Sequence, residues 1–216
     1  MTTEASSRKR GEKHGDLRAA LIAAALDVLE RVGPERLSLR EVARLAGVSQ
    51  AAPYNHFADR EAILAELAAL GFQLLTERQD SAPSLCLDDQ SMLEQLGVAY
   101  VRFACDKPAL YRLMFGAGVN GQGWHAYPTV SKAKSQSFMP VRNVVGRLIA
   151  RPDAVGKNDD AAMVCWAVVH GISMLLIDGT LTQRVTSAAE ADDMTRRSIA
   201  VLLNGLGPVH PTHGVA

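Results

Sequence analysis

The sequence predicts an all-α protein: a three-helix headpiece carrying a helix-turn-helix, joined to a larger helical domain, with about nine helices in total. Apolar residues recur at helical spacing along nearly the whole chain, and no run alternates as a strand would. Capping residues and glycines stand at the ends of those runs, where helices need to start and stop. With 48% hydrophobic and 21% charged residues, the 216-residue chain has enough apolar material to bury a core and is neither disordered nor fibrous in composition.

The first helix is expected from an N-cap at Asp16, with Leu17, Leu21, Ala25, Leu29 and Val32 on its inner face, and Gly33-Pro34 ends it. Ser38 opens a second helix through the capping box Ser38-x-x-Glu41, and Leu39, Val42 and Leu45 point inward. Gly47 supplies a turn, Ser49 caps a third helix through about residue 57, and Asp59 caps a fourth to about residue 78. Five further helices are expected near 91–105, 108–115, 127–150, 159–178 and 190–205, with breakers such as Pro108, the glycines of 116–123, Pro152 and Gly179 between them.

Charge and cysteine content narrow the class. Lys and Arg number 23 against 23 Asp and Glu, so the surface as a whole does not attract nucleic acid. Residues 1–60 nevertheless carry ten basic against eight acidic side chains, the densest run being Arg8, Lys9, Arg10 and Lys13. Residues 1–14 therefore read as a disordered basic arm, placed to reach DNA phosphates, and 208–216 as a disordered tail. Cys86, Cys105 and Cys165 are odd in number and widely spaced, which fits reduced thiols better than a disulfide framework or a zinc motif. The first residues hold no apolar run of the signal-peptide kind, and the stretch 161–177 is broken by His170 and shorter than the roughly 20 residues of a membrane span. A cytoplasmic protein without membrane association is the expectation.

Residues 37–56 have the order of a helix-turn-helix: a short capped helix, a glycine turn and a second short capped helix. Ala43 is small enough for the helices to cross closely, Val48 packs beneath the pair, and Leu37, Leu45 and Phe57 complete a miniature core. The outward residues are then Gln50, Ala51, Ala52, Tyr54 and His56. Gln50 suits an adenine edge, Ala51 or Ala52 a thymine methyl, and Tyr54 and His56 phosphate oxygens. Ser38, Ser49 and Arg60, at helix starts, complete the expected DNA-binding set. Pro53 falls in a first helical turn, where its missing N–H costs little.

The run Leu37 to Ser49 (LSLREVARLAGVS), with Tyr54-Asn55-His56-Phe57 and Asp59 to Leu64 (DREAIL), resembles the TetR family of bacterial regulators. The resemblance covers about residues 15–65. It implies DNA contacts at Ser38, Gln50, Ala51, Tyr54, His56 and Arg60. Ser38 stands where Thr is usual and keeps the hydroxyl; Arg60 stands where Lys is usual and keeps the charge; Pro53 replaces a commoner Leu. A DNA-binding domain at 15–75 and an effector-binding and dimerisation domain at 80–207 follow.

The second half carries no nucleophile with a base, no metal set among its histidines and no phosphate loop, so neither an enzyme nor a cofactor is expected. Lys107 to Gly116 and Trp166 to Gly171 resemble a C-terminal domain type named for a Trp-His-Gly signature. Trp166 and His170 share a helix face, which fits core packing with a satisfied imidazole as well as a ligand contact. Candidates for an effector pocket are Met114, Phe115, Trp124, Tyr127, Phe138, Met163, Trp166 and His170. The resemblance implies a homodimer through the last two helices, with Ala162, Cys165, Val169 and Ser173 as a small-residue ridge, and hence a pseudopalindromic operator. The whole reads as a ligand-responsive repressor; a helical small-molecule carrier without DNA regulation is the alternative.

Overall fold

The computed structural model describes residues 12–81, 88–116, 123–124, 126–149 and 157–204. These form eight α-helices and one short 3-10 helix, with no strand among the described residues. The helices are α1 (Glu12–Val32), α2 (Leu39–Leu45), α3 (Arg60–Asp80), α4 (Asp89–Asp106), α5 (Pro108–Phe115), α6 (Pro128–Leu148), α7 (Lys157–Ile177) and α8 (Ala188–Asn204); the 3-10 turn is Ala52–Asn55. Residues 1–11 of the expected basic arm, the tail from 208 and most of the Gly-rich segment lie outside the described residues, while 12–14, expected as the end of that arm, are helical and belong to α1.

The expected caps at Ser38 and Asp59 form, Asp88 adds one the sequence reading did not name, and Ser49 caps no helix, since the short 3-10 helix starts after Ala51 with no side-chain cap. Ser38 Oγ accepts from Glu41 N at 3.2 Å, Asp59 Oδ1 from Ala62 N at 2.8 Å, and Asp88 Oδ1 from Ser91 N at 2.7 Å. Gly47, at φ 68°, closes α2 in a Schellman motif: Val48 N donates to Ala43 O at 3.0 Å and Gly47 N to Arg44 O at 3.3 Å. Asp16 is not a cap, because α1 starts at Glu12; Glu12 and Lys13 favour the helix and let it extend upstream.

Contacts divide the chain into two compact units, with breaks after residues 72, 108 and 133. The first unit comprises 1–72 and 109–133, the second 73–108 and 134–216. In the first, Leu21, Val28 and Leu29 of α1 are buried, as are Leu37, Val42, Ala43, Phe57, Ile63 and Leu67. Leu45 is 38% exposed, contrary to the sequence reading. The inner stripe of α2 is Leu39, Val42 and Ala43, at the i, i+3, i+4 spacing of one face, and Leu45 falls off it. Val32 likewise ends α1 facing solvent.

In the second unit, α4 packs on α7 and α8. Gly97 makes this possible: a Cβ there would stand 2.5 Å from Ile199 Cδ1 and 3.2 Å from Val169 Cγ1. Arg102 of α4 grips the buried Asp192 of α8 with both arms of its guanidinium. Ala162, Cys165, Val169 and Ser173 are all buried here, so the small-residue ridge lies within the chain and does not face outward. The stretch Asp159–Ile177 is apolar on every side, with mean hydropathy 1.8 and only 28% burial, and by length and composition alone it could cross a bilayer. Its exposed side presents Met163, Val164 and Leu175.

Candidate nucleic-acid interface and the second unit

The segment expected to be the third α-helix is a turn followed by the 3-10 helix Ala52–Asn55. Pro53 is the reason. It has no N–H to offer Ser49 O and disfavours α geometry at Ala52. The chain therefore winds more tightly: Ala52 N donates to Ser49 O at 3.0 Å, Tyr54 N to Ala51 O at 3.2 Å and His56 N to Pro53 O at 3.0 Å, each spanning three residues.

Three residues per turn redistribute the outward groups, because i and i+3 now eclipse. Gln50, Ala51 and Tyr54 are exposed, Tyr54 by 56%, while Ala52 and His56 are half-buried and Pro53 is buried. Asn55, which the α-helical reading did not point outward, is exposed. Ser38 and Ser49 are exposed as well.

Phe57, buried, pins the segment to the rest of the headpiece. The Arg18 guanidinium lies 5.5 Å from its ring centroid and also pairs with Glu66 at 2.8 Å, so α1 and α3 clasp the ring together. Arg60 holds the other side. Its Nε donates to Leu37 O at 2.7 Å and its Nη2 to Pro34 O, fixing the loop that delivers Ser38 to the start of α2. The side chain expected to meet a phosphate thus already anchors the motif.

Beside this face is a shallow groove of about 350 Å³ lined by Ser38, Arg40, Glu41, Arg44, Val48 and Gln50. Arg44 forks onto Glu41 at 2.6 and 2.9 Å, and that hydrogen bond holds the Glu41 carboxyl below its usual range. Among the described residues Arg40 makes no ion pair, which leaves its charge facing outward next to Gln50; the sequence reading passed it over.

The eight effector-pocket candidates divide between the units. In the first, Met114 is buried against Gly71, where a Cβ would lie 2.6 Å from Met114 Sδ, and Phe115 meets Phe72 edge-on at 5.3 Å. Trp124 Nε1 donates to Leu113 O at 2.9 Å and its ring faces Tyr127 at 6.0 Å. Burial, helped by the Glu61 and Asp59 carboxylates, pushes the Tyr127 phenol up.

In the second unit Phe138 is half-buried and Met163 is 50% exposed. Trp166 and His170 stack at 4.8 Å, and Tyr100 of α4 completes a polar cluster with them. Trp166 Nε1 donates to Tyr100 Oη at 3.1 Å, and Tyr100 Oη lies 3.1 Å from His170 Nδ1. Accepting from the indole leaves the phenol to donate to Nδ1, which suits a neutral imidazole. Burial first, and then the Lys134 charge, lower the pKa of His170 and favour that neutral form. Tyr100 carried no local signal, since it lies 70 residues from its partner. Gln79 was missed too; its buried Oε1 has no partner among the described residues.

Two family models match the sequence. Residues 21–67 match the bacterial regulatory proteins of the tetR family, and residues 93–202 match the tetracyclin repressor-like C-terminal domain. The chain belongs to the TetR family. It is therefore a DNA-binding transcriptional regulator with a helix-turn-helix headpiece, and regulators of this family are not enzymes. A solved structure of a protein with unknown function from Rhodococcus sp. RHA1 is 33% identical with a TM-score of 0.76, covering 93% of this chain and all of that one.

Two more distant structures share the fold. The regulator FadR from Bacillus subtilis, in complex with stearoyl-CoA, is 12% identical with a TM-score of 0.67, over 88% of this chain and all of that one. A TetR variant from Acinetobacter baumannii AYE in complex with minocycline is 18% identical with a TM-score of 0.58, over 87% and 94% of the two chains. No curated protein matches the sequence significantly.

Proposed function

We propose that this TetR-family regulator is a cytoplasmic, ligand-responsive repressor that grips a pseudopalindromic operator as a homodimer. The observation that carries the reading is the exposed edge Ser49, Gln50, Ala51 and Tyr54, held on a proline-tightened turn beside the outward charge of Arg40. Gln50 and the Ala51 methyl read base edges, with Ala52 behind them. Ser38, Ser49, Tyr54 and His56 contact phosphates, and Arg60 adds its charge while holding the loop.

The dimer forms through α7 and α8, whose exposed Met163, Val164, Leu175 and Val201 supply apolar surface that the single chain leaves to solvent. A two-fold axis then sets the two reading edges roughly 34–36 Å apart, one turn of DNA. Trp166 to Gly171 serves as the Trp-His-Gly signature of the C-terminal half, and Tyr100, Trp166, His170 and Gln79 are its polar groups for an effector. Structural neighbours in complex with stearoyl-CoA and minocycline support a small-molecule effector, which binds the DNA-competent state less well and so releases the operator.

The test is selection of duplexes from a random-sequence pool, followed by binding at several salt concentrations. The expected product is a two-half-site sequence bound as a dimer, with affinity falling as salt rises. A protein that holds no duplex better than the unselected pool at matched salt overturns the reading.

A further inference from the structure

The first turn of α5 lacks a cap of its own. Pro108 opens the helix without an N–H, and Lys107 before it has a side chain with donors only. Lys107 N itself donates to Phe103 O at 3.0 Å to close α4. The N–H groups of Ala109 and Leu110 are thus left without a local acceptor. They find one far away in sequence: Glu30 Oε2 accepts from Ala109 N at 3.3 Å and Oε1 from Leu110 N at 3.2 Å. One carboxylate serves both orphan donors at the positive end of the helix.

Glu30 sits in the last turn of α1, directly ahead of Gly33, whose N–H returns to Leu29 O at 2.8 Å. The loop that follows is the one Arg60 holds at Pro34 and Leu37, and it ends at Ser38, the cap of α2 and part of the groove beside Gln50. At its other end α5 is seated on α3, through Met114 against Gly71 and Phe115 against Phe72. Leu110, Tyr111, Leu113 and Met114 are all buried between these supports. The contacts run without a break from the start of α5 to the DNA-reading edge, within one unit.

We infer that Glu30 is a positioning residue: by capping α5 it makes that helix part of the body that reads DNA, so operator binding and the order of the first turn of α5 are linked. This rests on the operator-binding reading above and adds the route by which the segment after residue 108 is felt at the headpiece. Linkage is reciprocal, so DNA must tighten the cap if the cap helps hold the reading edge.

Amide hydrogen exchange on the full chain, with and without a duplex recovered by the wild-type protein from a random pool, tests this. In the wild type, the duplex is expected to slow exchange at 49–57 and also at 109–111, the latter by about fivefold, the lower end of ordinary coupling between sites. In Glu30→Gln, which keeps one acceptor oxygen, the slowing at 109–111 is expected to fall to less than half. In Glu30→Ala it is expected to vanish, with weaker duplex binding and an unchanged dimer mass. The inference is overturned if the wild type protects 49–57 with no change at 109–111, or if Glu30→Ala keeps the wild-type protection there. Should no duplex protect 49–57 at all, the operator reading fails first and takes this one with it.

Discussion

Replacing Arg60 separates two roles that coincide in one side chain. Its guanidinium donates to Leu37 O and Pro34 O, and the same charge stands at the start of α3 where a phosphate would approach. Hydrogen bonds from a charged donor are worth about 1.5–3 kcal/mol when buried; Arg60 is half-exposed, and water replaces part of the bond at Pro34, so the pair together contributes about 2 kcal/mol. For a chain of this length that is a fall in Tm of about 4–8 °C for Arg60→Ala. Arg60→Lys keeps the charge, but a single ammonium reaches one carbonyl, and about half that loss is expected.

Duplex affinity should follow a different order. Lys should bind DNA close to the wild type and Ala markedly less well, because a phosphate contact needs the charge and not the fork. Thermal melting together with amide exchange over 33–38 measures the first role, and fluorescence anisotropy at matched salt the second. An Arg60→Ala protein that melts like the wild type and exchanges normally over that loop would refute the anchoring argument and leave Arg60 a DNA contact alone.

Tyr54→Ala should leave folding stability within about 0.5 kcal/mol of the wild type, since the side chain is largely exposed, yet weaken duplex binding by roughly three- to tenfold, the worth of one phosphate hydrogen bond; equal affinity in the anisotropy titration would count against the reading edge. Gly97→Ala gains about 1 kcal/mol of helix propensity but drives a methyl to 2.5 Å from Ile199 Cδ1, and overpacking costs about 1–3 kcal/mol, so a net loss of about 1 kcal/mol is expected. Trimming Ile199→Val in the same protein should recover part of that loss, which calorimetry would show. His170 has a folded pKa below its ordinary 6.5, so the unfolded chain takes up the proton first as pH falls. Its contribution is whole above about pH 6.5 and is lost below it, until folded His170 also protonates. Denaturation curves of the wild type and His170→Gln between pH 7.5 and 5 should converge toward the acid end, and a constant gap would argue that the imidazole is not held neutral.

The parts of the fold legible in the sequence are those fixed by near neighbours. Ser38, Asp59 and Gly47 act through residues three to five positions away, and the boundaries they imply are met. Where a local rule met a competing local rule, the outcome was less legible: Pro53 was read as harmless in a first turn, but the lost bond to Ser49 tightened the whole segment and moved Asn55 outward. Contacts across 70 or 80 residues, such as Tyr100 with His170 or Glu30 with Leu110, leave no trace in any window of sequence. The ridge on α7 shows a third kind of limit. Ala162, Cys165, Val169 and Ser173 do form one face, as their spacing indicates, but Met163, Val164 and Leu175 form another just as apolar. Periodicity identifies a buried face only when the opposite face is polar. On α7 both faces qualify, and α4, admitted closely by Gly97, takes the one with smaller side chains because only there do the backbones approach far enough to pack.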